Sequence, residues 1–230
     1  MNEKLQSRLD SVLGAVLVPI MIWALYMAFV GAPREKTMGD IQRIFYFHVS
    51  AGITGLIAFA VNFAASLMYV VRKNRRWDQL ALSAAEIGVL FFFIVLVTGP
   101  IWAKPVWFVW WTWTARLTSS LILCLLYVAY LLIRNYIEDP ERKAMVSAVF
   151  GIIAFVDAPL VWFSIRWWRD IHPSAVMESG GLPDPAMRLA LGICVAAHLV
   201  LFLYLLRRRF YLEVLRDKVE WLARRANIAH

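Results

Sequence analysis

Two histidines flank a stretch dense in tryptophan. His48 ends the run Phe45-Tyr46-Phe47-His48, and His172 ends Arg166-Trp167-Trp168-Arg169-Asp170-Ile171-His172. Between them, five of the chain's eleven tryptophans fall within twelve residues, at Trp102, Trp107, Trp110, Trp111 and Trp113, with Arg116 just beyond. Neutral imidazole is a frequent ligand for iron and other transition metals, and two imidazoles approaching from opposite faces can hold a haem axially. Several indole rings together suit a large planar apolar ligand, which gains buried area and stacking from each. A guanidinium beside them can grip a ligand carboxylate through two parallel hydrogen bonds.

Each feature also has a plainer explanation. Interfacial histidines are often structural, arginines snorkel, and tryptophans gather at the headgroup level of membranes. An anchoring belt is spread over both interfaces, however, and here the opposite side keeps only Trp77 and Trp221. Anchoring alone does not account for the density. His198 falls in the middle of an apolar block, as a packed, hydrogen-bonded residue would, and His230 carries no signal. Glu86 and Asp157 are carboxylates within or near apolar blocks, where ionisable groups are costly. Glu86 is placed to reach back to the basic loop Arg72–Arg76, and Asp157, just before Pro159, to line the site or orient an imidazole. Cys124 and Cys194 lie in apolar blocks without CxxC or metal-ligand spacing and read as buried thiols. A catalytic nucleophile, a glycine-rich phosphate loop and a paired-carboxylate set are not evident.

The elements that must position these residues are membrane helices. Of the 230 residues 61% are hydrophobic and 17% charged, with a mean hydropathy of +0.64, against about 45–50% and about 25% in soluble domains. The apolar residues come in six long blocks, roughly 12–30, 44–71, 80–101, 118–133, 145–165 and 189–206. About 20 apolar residues are needed to cross the hydrocarbon core as a helix. The expected fold is all-α, a polytopic membrane protein forming one domain over 1–230, with six transmembrane helices and an outer-face tryptophan-rich loop. No small-residue cleavage site follows the first block, so it reads as a retained helix.

Lys and Arg divide unevenly between alternate sides. Sixteen fall on the side of both termini and eight on the side that carries His48, the tryptophans and His172. The excess marks the first side as cytoplasmic and the second as outer. The net charge of +8 sits in short inter-helix clusters, as the lipid bilayer demands, and not in an aromatic-interleaved patch for nucleic acid. The tail from Leu212 to Ala226 reads either as a helix on anionic lipid or as a solvated helical end.

At these residues the chain resembles the haem-handling protein family of cytochrome c maturation, closest to its six-span CcmC members. That family has an outer loop of the form W-G-x-P-x-W-x-x-W-W-x-W-D-A-R-L-T-S, against which Trp102 to Ser119 aligns without a gap. It also places one histidine before the loop and one after it, as His48 and His172 stand here. The resemblance runs from about Ile41 to Leu206. Three departures occur: Thr114 for the motif's Asp, Ala103 for its Gly, and Phe108 for a further glycine usual in the family. The resemblance implies haem b as cargo, not a permanent cofactor, with His48 and His172 as axial ligands against the tryptophan loop. It implies delivery to a periplasmic membrane-anchored haem chaperone with help from an ATP-driven membrane complex, and a place in the bacterial cytoplasmic (inner) membrane with both termini cytoplasmic. A b-type cytochrome holding a permanent bis-histidine haem is the alternative, though such proteins usually set both histidines within spans. A transporter for another amphipathic ligand would show inverted repeats or broken midplane helices, and none is found in the sequence.

Overall fold

The computed structural model describes residues 3–168, 182 and 184–228. Six segments are long and apolar enough to cross a membrane, and the described residues are helical with no strand, so the protein is a multi-pass all-α membrane protein. The helices are α1 (Glu3–Tyr26), α2 (Arg43–Arg72), α3 (Arg75–Trp107), α4 (Ala115–Tyr136), α5 (Pro140–Ala154), α6 (Asp157–Trp167) and α7 (Pro185–Ile228). Helices α5 and α6 share the fifth span.

A hairpin of α2 and α3 forms the centre. Its turn is only Lys73-Asn74: Lys73 takes a left-handed conformation and Asn74 caps α3 by accepting the Arg76 N–H at 3.0 Å. The two helices approach closely where Gly88 faces Phe59, and any side chain at Gly88 would collide with that ring. Phe59 packs against Phe92 at 5.1 Å and stacks on Tyr127 of α4 at 3.8 Å, which draws α4 and α5–α6 onto one flank. On the other flank α7 packs on α2 and α3, and α1 packs on α7, through small residues, among them Ala24, Ala190, Cys194 and Ala197. Small side chains let helix backbones approach closely where lipid offers no hydrophobic drive. Both thiols are free and buried, as the sequence suggests.

The spans depart from the apolar blocks at three places. Helix α3 runs on to Trp107 through Pro100 and Pro105, six residues past the expected end, so Trp102 and Trp107 stand on a helix and the loop proper is short. The fifth span breaks at Phe155-Val156. Pro159 has no N–H and its ring clashes with the carbonyl of residue 155 in a continuous helix. That carbonyl accepts the Ala158 N–H at 3.0 Å instead. Helix α7 continues without a break from its span to Ile228, 44 residues or about 66 Å. The tail is therefore the end of this helix.

Ion pairs gather at the bundle end away from the tryptophans. Arg134 of α4 grips Asp78 of α3 with both prongs, at 2.6 and 2.9 Å, and both side chains are buried. Arg75 also reaches Asp78, and pairs with Asp217 of α7 at 2.8 Å. Glu86 does not reach back to Arg72–Arg76. It pairs with Arg209 of α7 at 2.5 Å, because α7 packs beside α3 there and brings a guanidinium within the span.

Candidate functional site

At the opposite end a cavity of about 1300 Å³, counting its open mouth, lies between α2, α3, α4 and α6. His48, Trp102, Trp107, Trp110, Trp111 and Arg116 all line it. Its floor is aliphatic and aromatic, with Leu56, Phe92, Leu96 and Val161. Six of the eight residues singled out in the sequence therefore line one cavity. Trp113 does not line the cavity: it lies edge-on to Trp111 at 5.8 Å and is 76% exposed. His172 lies outside the described residues.

His48 stands in the second turn of α2, facing one stretch of α3. Its Nδ1 lies 2.9 Å from the Thr98 hydroxyl oxygen. Its ring lies 6.2 Å from that of Trp102, and a side chain at Gly99 would stand 3.4 Å from the imidazole Cε1. Thr98, Gly99 and Trp102 share a face of α3, one turn of helix, and so form a three-sided seat for the ring.

The tryptophans form a recess, part on helix α3 and part on the loop that follows it. Because α3 continues to Trp107, Trp102 is carried into the bundle, where it is 2% exposed between Phe45 at 6.0 Å and Trp107 at 5.4 Å. Helix α3 ends at Phe108, whose left-handed backbone (φ 61°) turns the chain back toward the cavity. Lys104 secures the turn: its ammonium donates to the Phe108 carbonyl at 3.1 Å and lies over the Trp110 ring. Trp110 and Trp111 then form the rim. The Trp111 indole N–H is buried and has no acceptor among the described residues.

Thr114 caps α4, its hydroxyl accepting the Leu117 N–H at 3.5 Å. The first turn of α4 then presents Arg116 to the cavity, with one guanidinium nitrogen 3.4 Å from the Val161 carbonyl of α6. Asp157 is not a wall residue. It opens α6, and one of its carboxylate oxygens is buried without a hydrogen-bond partner among the described residues. His198 is packed, as its mid-span position suggests: 8% exposed, its Nδ1 2.8 Å from the Cys194 carbonyl, between Phe47 and Phe91. Thr98 is the site residue that pattern reading missed. A threonine inside an apolar block carries no signal until its partner across the helix interface is known.

Fold and site together define a six-span membrane protein with an aromatic recess that the His48 imidazole enters from the side. Among the described residues no group of three or more His, Cys, Asp or Glu side chains converges to hold a bare metal ion. Residues 2–225 match the family model described as heme exporter protein C, CcmC. The heme exporter protein C of Bradyrhizobium diazoefficiens is 33% identical over 212 residues, 91% of this chain and 80% of that one. That of Escherichia coli K12 is 30% identical over 213 residues, 92% and 86% of the two chains. A ccmC-like mitochondrial protein of Marchantia polymorpha, named for cytochrome c biosynthesis, is 34% identical over 158 residues, 68% of this chain and 67% of it. The chain belongs to the haem exporter protein C family.

Proposed function

We propose that this protein binds haem b at the outer face of the bacterial inner membrane and hands it to a periplasmic, membrane-anchored haem chaperone for c-type cytochrome maturation. It acts as a carrier and not as an enzyme, and an ATP-driven membrane complex of the same pathway supplies the energy. The observation that carries the reading is one recess containing His48, five tryptophans and Arg116. Family membership supports it, since the relatives are named as haem exporters.

The donor set suits a haem. The floor takes an apolar macrocycle, and His48 stands at the side of the recess as an iron ligand must. Arg116 and the Trp111 N–H at the rim suit carboxylates of the propionate type. The second axial ligand is His172, on its sequence position. A permanent b-type haem is less well served, because the wall includes Trp110 and Trp162, which are 59% and 51% exposed. An open side favours handover.

The test is an optical spectrum of the protein purified in detergent, oxidised and reduced, beside His48→Ala and His172→Ala. We expect a haem spectrum that either substitution weakens or alters. A wild-type protein that shows no haem after incubation with excess haem would overturn the reading. A haem that fails to transfer to a soluble apo-acceptor would favour the permanent cytochrome.

A further inference from the structure

We infer that Thr98 is a positioning residue that fixes the tautomer and aim of the His48 imidazole, leaving the Nε2 lone pair as the donor for haem iron. The inference rests on the haem-binding reading for the identity of the metal, but its first step is independent of it.

The hydroxyl of Thr98 has one proton. It lies 2.7 Å from the carbonyl oxygen of Ile94, one turn back on α3, and 3.5 Å from that of Val95. Those carbonyls accept only, so the Thr98 proton is committed to the helix backbone. At 2.9 Å from the same hydroxyl oxygen, His48 Nδ1 must therefore be the donor. A ring protonated at Nδ1 is neutral only if Nε2 carries the lone pair, and that nitrogen is the one able to bind a metal. The threonine thus reads the helix backbone on one side and dictates the imidazole on the other. Serving as a hydrogen-bond acceptor for the distal N–H also raises the basicity of the ligating nitrogen.

Packing supports the same role. Threonine has restricted χ1 freedom on a helix, and its back-bond to residue i−4 selects the rotamer that points its oxygen along α3. Gly99 leaves room at the imidazole Cε1, where an added Cβ would stand 3.4 Å away, and Trp102 closes the side one turn further on. The ring is therefore held in plane by α3 while it remains attached to α2, so its aim depends on the hairpin and not on the mobile end of a side chain.

Two measurements test this. The first needs no haem: nitrogen NMR of the chain labelled at histidine distinguishes Nδ1–H from Nε2–H imidazole. We expect His48, identified by its loss in His48→Ala, to be the Nδ1–H tautomer in the wild type and in Thr98→Ser. It should become a mixture in Thr98→Val, which keeps the volume and removes the acceptor. A wild-type His48 protonated at Nε2 overturns the inference whatever the protein binds. The second measurement is a haem titration with spectra and reduction midpoint. Thr98→Val should weaken binding roughly 10- to 100-fold, as loss of an outer-shell partner does. It should also shift the midpoint upward, since a less basic imidazole favours ferric iron less. Thr98→Ser should restore both. If the haem spectrum depends on His48 yet Thr98→Val matches the wild type in affinity and midpoint, the Thr98 inference alone fails. If no His48-dependent haem signal exists, the proposed function fails, and the tautomer result alone decides the role of Thr98.

Discussion

At the scale of single residues, the departures from the resembled motif turn out to be local substitutions of one backbone device for another. Phe108 sits where the resembled family usually has a glycine, and it adopts the left-handed φ of 61° that glycine favours. A residue with a Cβ pays about 1–2 kcal/mol for that conformation. Thr114 sits where the motif has aspartate, and its hydroxyl caps α4 as an aspartate carboxylate would. What changes is charge, two residues from Arg116. We therefore expect Thr114→Ala to cost about 1 kcal/mol of stability, the usual loss of an N-cap. Thr114→Asp should hold or raise it, since a carboxylate also favours the helix N-terminus. Thermal unfolding in detergent checks both. Equal loss in Ala and Asp variants would mean that the hydroxyl does not act as a cap.

At the scale of elements, six spans were legible in the sequence because unbroken apolar runs of the needed length are a strong signal, and His48, Trp102 and Arg116 were legible because their types are rare there. The shape of the site was not. The apolar block stops at about residue 101, yet α3 carries on to Trp107 through Pro100 and Pro105. Prolines are tolerated in membrane helices where neighbours re-satisfy the freed carbonyls, and apolar runs do not reveal that. The buried ion pairs were equally hidden, because pairing between Asp78 and Arg134 joins residues 56 apart in the chain. They tie α3 to α4, and through Arg75 and Asp217 to α7. Removing one member of a buried pair strands the other charge, at a cost of about 3–5 kcal/mol. Arg134→Met should accordingly lower the unfolding temperature far more than Thr114→Ala. A double Asp78→Leu, Arg134→Met variant should recover much of the loss. Failure of the double variant to recover any stability would show that the pair contributes through specific geometry and not through mutual neutralisation.

At the scale of the whole molecule, the bundle has two unlike ends. The aromatic recess occupies one, and the ionic ties Arg134–Asp78, Arg75–Asp217 and Arg209–Glu86 occupy the other. Which end faces outward decides whether the recess can serve a periplasmic partner at all. The positive-inside rule counts Lys and Arg near the span ends, not net charge, so the ion pairs do not dilute the sixteen-to-eight excess. In the proposed orientation the ionic end is cytoplasmic and the recess lies outside. Two positions report this directly: Phe108, 80% exposed at the tip of the loop, and Arg76, exposed in the first turn of α3 at the other end. The native thiols Cys124 and Cys194 are buried and contribute little background. In spheroplasts treated with a membrane-impermeant maleimide, Phe108→Cys should label at once, and Arg76→Cys only after the membrane is opened. The reverse pattern would put the recess in the cytoplasm, and delivery of haem to a periplasmic acceptor from this site would then be excluded on geometry alone.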